Sequence, residues 1–446
     1  MVTACRFPVT LLSTSRLYRF HFPGWMPSLP FMPYLPRIVD EEIQQRLRSS
    51  GAVLVDGPKA CGKTATARRH AKSEDLLDAD VGAAQKMQVD PRLLLQGDPP
   101  HLLDEWQVFP DLWNYVRREV DERGIPGQFI LTGSATPSDD ATRHSGAGRF
   151  ARIQMRPMSL LELGNSSGVI SLARLFDGEA SRSTDPGLSL DDLIVAVIRG
   201  GWPGNRLMSP QDAARSNRDY LDRIRRTDIR AVDGVRRDPE RLDAVLRSLA
   251  RNVASTVSLK TIAEEASGAR TRVTDDTVGD YLSALARLMV IEDQPAWNTH
   301  LRSSHQLRRS PKRHFADPSL AAAAMRATSA SLKADLNTLG FLFESVVVRD
   351  LRVYAQPLDG QVLHYRDQSG LEVDAIVDTG DRWAAFEIKL GIGQIDQAAE
   401  NLNEFRRRVD TTKRGEPALL GVIVGSGLGF VRPDGIHVIP IGALGA

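Results

Sequence analysis

Cysteine is nearly absent: only Cys5 and Cys61 occur in 446 residues. That excludes a disulfide framework and a thiolate zinc site, and it fits a reducing cytoplasm. No apolar run approaches the roughly 20 residues that cross a bilayer, and none has the sustained two-faced pattern of an interfacial helix, so no membrane role is expected. Neither sign of charge dominates. With 57 Lys plus Arg against 56 Asp plus Glu, a nucleic-acid surface has to be a local patch. Acidic residues are missing altogether from Met1 to Pro36, where Arg6, Arg16 and Arg19 lie among Ser, Thr, Phe and Pro. This composition fits a transit peptide or sequence read from a start codon placed too early. The second reading is preferred, because Met32-Pro33-Tyr34-Leu35-Pro36-Arg37 runs directly into a helical stretch, Asp40 to Leu47. Residues 1–31 are expected not to pack.

What is present begins with a phosphate-binding loop. Gly57-Pro58-Lys59-Ala60-Cys61-Gly62-Lys63-Thr64 fits G-x-x-x-x-G-K-S/T at every fixed position. The apolar run Ala52 to Asp56 before it reads as a buried parallel strand, and Thr64 to Lys72 after it reads as a helix. The glycines let backbone N–H groups and the helix N-terminus face the phosphates. Lys63 then reaches the β- and γ-phosphates and Thr64 holds Mg²⁺, so ATP and Mg²⁺ are the expected cofactors.

The length calls for two or three domains. After the loop, short apolar runs alternate with helical stretches, as in a parallel sheet with helices on both faces. Strands are expected at Asp75 to Asp78, His101 to Leu103, Gln128 to Thr132 and Ala151 to Met155, with a helix from Pro110 through Val120. Asp177 to Leu190, rich in Asp, Ser, Gly and Pro, reads as a linker. A mostly helical region follows over 191–327. Its sequence of helix, short helix, turn and longer helix is that of a winged helix-turn-helix. Arg302, Arg308, Arg309, Lys312 and Arg313 fall where a wing lies, as a basic surface for DNA or protein or as a plain solvated loop. From Leu336 the order is helix, three strands, helix.

Several residues carry candidate chemistry. Asp104, at the end of the third strand, can hold the water shell of Mg²⁺, and Glu105 can polarise the attacking water. Ser134, in Leu131-Thr132-Gly133-Ser134, can contact the γ-phosphate or that water, or simply cap the strand. Arg149 can act as an arginine finger on its own or a neighbour's phosphate, or be an ordinary surface residue. In the last region Glu344, Asp374 and Glu387 can bind a second divalent metal, with Lys389 supporting. Alternation puts Glu387 and Lys389 on one strand face, the pattern of PD-(D/E)XK nucleases, although charges on an exposed strand make the same pattern.

From Met32 onward the chain resembles a prokaryotic family of AAA-type ATPases that pairs an N-terminal P-loop module with a C-terminal domain of unknown function. The resemblance is carried by Gly57 to Thr64, Leu102-Leu103-Asp104-Glu105 with Gln107, Leu131 to Ser134 and Gly148-Arg149. In the second half it is carried by Gly200-Gly201-Trp202-Pro203, Tyr220-Leu221, Asp228-Ile229, Pro311-Lys312, Phe315-Ala316-Asp317, Glu344, Glu372-Val373-Asp374 and Glu387-Ile388-Lys389. It implies an α/β P-loop NTPase domain over 32–176, a winged-helix middle over 191–327 and a nuclease-like C-terminal α/β domain over 336–446. ATP binding and hydrolysis are implied as well. Three functions stay open: an ATPase whose nucleotide state controls a DNA- or protein-associated module, an ATP-gated metal-dependent nuclease, and a non-catalytic nucleotide-dependent regulator. An oligomer is compatible with each.

Overall fold

Strand β1 (Ala52–Asp56) is buried along its whole length, as an apolar run is when both faces of a parallel strand are covered. The computed structural model describes residues 33–135, 146–232, 234–268, 272–298 and 310–446. The expected N-terminal tail, residues 1–31, and the cations Arg302, Arg308 and Arg309 lie outside the described residues.

Around β1 stand β2 (Ser73–Leu76), β3 (His101–Asp104), β4 (Phe129–Gly133) and β5 (Phe150–Gln154), in the order β2-β3-β4-β1-β5 and all parallel. Side chains alternate between the two faces. Val53, Val55 and Ile130 pack with Val39 and Ile43 of the helix Val39–Ser49 and Ala67 of the helix Lys63–His70. Ala52, Leu54 and Leu131 pack with Leu112, Val116 and Val120 of the helix Leu112–Arg123 on the other side.

Beyond this sheet comes β6 (Ile170–Ser171) and then the helical region: Leu190–Arg199, Pro210–Arg223, Pro239–Arg251, Leu259–Ala266 and Asp275–Arg287. Its helix starts are set locally. Ser189 and Asp192 form a capping box, and Ser258 accepts from the Thr261 N–H. The antiparallel pair β7 (Ile291–Gln294) and β8 (Lys312–Phe315) closes the region.

The last part begins with the helix Leu336–Ala355, followed by β9 (Gln361–Arg366), β10 (Glu372–Asp378) and β11 (Trp383–Lys389). Then come the helix Ile395–Arg408, β12 (Leu419–Val424), β13 (Phe430–Val431) and β14 (His437–Pro440). The sheet order is β13-β14-β12-β11-β10-β9, with β11, β12 and β14 parallel and the other pairings antiparallel. One helix covers each face: Leu342, Phe343 and Val346 meet Ala375 and Phe386, while Leu402 and Phe405 meet Ile376 and Trp383.

The stretch expected as a linker is not free. Ser181 is fully buried, its hydroxyl donates to the Phe430 carbonyl at 3.0 Å, and Ser183 bridges Gly429. Further along, β15 (Leu444–Gly445) pairs with β6. Residues Pro36–Ala446 therefore form one compact unit, and one apolar core runs from Val53 through Leu246 to Ile439. Among the described residues no helix is long and apolar enough to cross a membrane.

Candidate functional site

The loop Gly57–Thr64 leaves the C-terminal end of β1 and turns into the helix that starts at Lys63. Two glycines make the turn. A Cβ on Gly57 would sit 2.3 Å from the Met155 carbonyl oxygen, and Gly62 has φ +105°, left-handed space that side chains avoid. Lys63 is only 4% exposed, and its Nζ donates to the Gly57 and Pro58 carbonyls at 3.0 Å each, inside the curl of the loop.

Thr64 Oγ1 donates to Asp104 Oδ1 at 2.9 Å, and Thr132 Oγ1 donates to the same oxygen. Burial pushes the Asp104 carboxyl above its ordinary value, against the hydrogen bonds from Thr132 and Thr64, with the charges of Glu105 and Asp78 adding to the rise. A hydroxyl facing a buried carboxylate is a hard-oxygen pair suited to Mg²⁺, so Thr64 and Asp104 fit the expected ion.

Glu105 follows with φ 56° and ψ 47°, a left-handed conformation uncommon outside glycine. Its N–H donates to Thr132 Oγ1 at 3.1 Å, and its carboxylate is turned toward the end of β4. There Ser134 Oγ donates to Glu105 Oε2 at 2.7 Å, and Gln107 Nε2 reaches both Ser134 and Glu105. The structure thus brings Lys63, Thr64, Asp104, Glu105 and Ser134 to one edge of the sheet.

Arg149 is not among them. Its carbonyl accepts from the Ala52 N–H at 3.1 Å, and it precedes β5, so it lies at the edge where the parallel strands begin. Four residue steps along β1 separate Ala52 from Asp56, on the order of 13 Å. The guanidinium instead pairs with Asp121 at 2.7 Å on the surface. This placement holds the guanidinium away from the phosphate loop of its own chain.

The loop is also gripped by residues far away in sequence. Lys59 Nζ pairs with Asp228 Oδ1 at 2.8 Å, at the end of the π-helical turn Ile224–Asp228. Arg37, nearly buried, donates to the Cys61 and Arg156 carbonyls and pairs with Glu162 at 2.9 Å. A Cβ on Gly62 would meet Pro203 at 3.4 Å, and Trp202 packs on Tyr220 with ring centroids 5.0 Å apart. Burial, with the Asp228 charge adding, pushes the Tyr220 hydroxyl far above its ordinary value, so it stays neutral.

Behind that contact is a buried ionic joint. Arg349 donates to Asp317 at 2.8 Å and to Asp350 at 2.7 and 2.8 Å, all three side chains being nearly inaccessible. Asp317 also accepts from the Gly201 N–H at 2.9 Å, and Asp350 accepts from the Leu160 N–H at 3.0 Å. Asp228, Tyr220 and Asp317 stand in the motifs that carried the resemblance, without a role attached. Arg349-Asp350, a charged pair inside an apolar helical run, was a readable signal of buried pairing.

The second cluster gathers Glu344 from the long helix, Glu372 and Asp374 from β10, and Glu387 and Lys389 from β11. At its centre is Lys312 of β8, 2% exposed, with Nζ at 2.8 Å from Glu344, 2.7 Å from Glu372 and 3.3 Å from Asp374. Lys389 pairs with Asp374 at 3.0 Å and Glu387 at 2.6 Å, and Asn401 donates to Glu387 at 2.6 Å. Burial, then the Asp374 charge, pushes Glu344 up to about 7 and Glu387 up to about 8. Asp374 goes the other way, to about 2: burial opposes its charge, and Lys312 and Lys389 outweigh it.

Two expectations are corrected here. Lys312 and Arg313 are not part of a solvated basic surface: Lys312 is buried among carboxylates, and Arg313 donates to the Val257 carbonyl. Nor do Glu344, Asp374 and Glu387 fit a second divalent metal as they stand, because an ammonium lies between the carboxylates. The described residues hold no group of three such side chains disposed around a metal position.

Comparison with known proteins divides the chain in three. Residues 49–164 match the AAA domain, residues 190–331 a domain of unknown function, DUF8612, and residues 339–444 another, DUF4143. Two uncharacterized proteins, Rv2008c of Mycobacterium tuberculosis and Mb2031c of Mycobacterium bovis, are each 26% identical over 358 residues, covering 78% of this chain and 72% of theirs. Among solved structures, the Walker-type ATPase PABY2304 of Pyrococcus abyssi aligns with 15% identity and a TM-score of 0.37, over 64% of this chain and 94% of that one. The complete phosphate loop, its Thr64–Asp104 pair and the match over residues 49–164 make the N-terminal part of this chain an AAA-type P-loop domain that binds ATP.

Proposed function

We propose that the protein is a cytoplasmic ATPase whose nucleotide state controls its C-terminal module through the helical middle region. The contact between Lys59 and Asp228 carries this reading, because it ties a residue inside the phosphate loop to the region that follows. Phosphates entering the loop compete for Lys59, and the turn Ile224–Asp228 then loses its anchor. Lys63 holds the phosphates, Thr64 and Asp104 hold Mg²⁺, and Glu105, positioned by Ser134 and Gln107, orients the attacking water. Arg149 in this reading serves a neighbouring copy and not its own loop.

The three helices Pro239–Arg251, Leu259–Ala266 and Asp275–Arg287 with the β7–β8 pair support a winged-helix middle. The succession of helix, three strands, helix and strand from Leu336 supports a nuclease-like C-terminal fold. Cutting would require a divalent ion where Lys312 stands, so binding of DNA or protein without cleavage is the reading carried forward.

Lys63→Ala is expected to weaken ATP binding by about 10- to 150-fold, the worth of one charge-assisted contact of about 1.5–3 kcal/mol. Calorimetric titration measures it, and unaltered affinity in a folded variant would remove the loop from the mechanism. Control of the module is tested separately by hydrogen exchange. ATP should change exchange in the turn Ile224–Asp228 and in β8; saturating ATP with no change outside residues 49–164 would sink that part of the proposal.

A further inference from the structure

An ammonium group has three N–H donors and no acceptor. Lys312 Nζ donates to Glu344 at 2.8 Å and to Asp374 at 3.3 Å and pairs with Glu372 at 2.7 Å, so one ammonium faces three carboxylates. The remaining Asp374 oxygen is taken as well, by Lys389 Nζ at 3.0 Å and the Ile388 N–H at 2.9 Å. Glu387 is held by Lys389 and Asn401. Every carboxylate of the cluster has a lysine ammonium as partner.

We infer that Lys312 is a resident cation: its ammonium fills the position between Glu344, Glu372 and Asp374 that a divalent metal would need, and keeps this cluster metal-free in the intact chain. A divalent ion needs oxygens at about 2.0–2.6 Å, and it cannot share that position with a charged nitrogen. The lysine comes from β8, whereas the three carboxylates come from the long helix and β10. The same contact that excludes metal therefore fastens the helical region to the last sheet. The cavity above it, of about 660 Å³, is bounded by Lys312, Lys389, Arg366 and Asn401 together with the turn at Ser255 and Thr256. It offers a ligand side chains instead of a metal. The inference concerns nucleotide-free protein and is independent of any control by ATP.

The test is Mn²⁺ binding to the full chain without nucleotide, counted by electron paramagnetic resonance. Unaltered protein and Asp374→Asn should bind the same number of ions, since neither holds one at the cluster. Lys312→Met should gain one Mn²⁺ per chain, and Lys312→Met with Asp374→Asn should lose it again. Lys312→Gln, which keeps length and hydrogen-bonding capacity, carries the same comparison if the methionine variant does not fold. Mn²⁺ bound by unaltered protein and abolished by Asp374→Asn overturns the inference. A folded Lys312 variant, shown by circular dichroism, that gains no ion overturns it equally.

Discussion

Glu105→Gln is expected to bind ATP normally and to hydrolyse it more slowly by about 10²–10⁴-fold. The substitution keeps the shape of the side chain and leaves Lys63, Thr64 and Asp104 in place, so the phosphate and Mg²⁺ contacts survive. What is lost is the carboxylate proposed to polarise the attacking water. The left-handed backbone at Glu105 and the Ser134 hydrogen bond at 2.7 Å position that carboxylate, and an amide can keep part of that hydrogen bonding without acting as a base. Single-turnover hydrolysis measured beside equilibrium ATP binding separates the two effects. A Glu105→Gln enzyme with undiminished turnover would make Glu105 an ordinary turn residue.

The second large effect concerns stability. Arg349→Ala leaves Asp317 and Asp350 buried without their shared guanidinium: Asp317 keeps only the Gly201 and Ser319 N–H donors, and Asp350 keeps the Leu160 N–H. Removing one partner of a buried ionic group costs about 3–5 kcal/mol, a large part of the roughly 5–15 kcal/mol that holds a typical domain folded. Denaturant midpoints, or soluble yield if the variant does not accumulate, should show the loss. Arg349→Lys should recover only part of it, because an ammonium cannot reproduce the forked contacts to two carboxylates. An Arg349→Ala protein with an unchanged midpoint would show that the joint bears no load.

Much of this was legible in the residues. Fixed spacing makes the phosphate loop readable, and local periodicity makes the elements around Glu344, Asp374 and Glu387 readable: the expected helix, three strands and helix are the helix Leu336–Ala355, β9, β10, β11 and the helix Ile395–Arg408. Arg149 was readable too, by a rule of position. A residue that enters a parallel strand lies at the edge away from the phosphates. Lys312 was not legible, since a lysine among arginines looks solvated until Glu344, Glu372 and Asp374 are known to converge on it. The stretch after Asp177 has the composition of a linker, yet composition says nothing of a partner such as the Phe430 carbonyl, some 250 residues on by sequence count.

Gly200 and Gly201 show how packing can imitate chemistry. A Cβ on Gly200 would lie 2.3 Å from Ser319 Oγ and 2.4 Å from Asp317 Oδ1, and one on Gly201 would lie 2.3 Å from the Met158 carbonyl oxygen. In a saturation screen scored by function, both positions should reject every side chain, as a nucleophile or metal ligand does. Scored by cellular abundance, the same variants should already be missing, whereas Glu105→Gln should accumulate to normal levels and be silent. The two screens side by side would sort the intolerant positions of this chain into those that build the protein and those that run it.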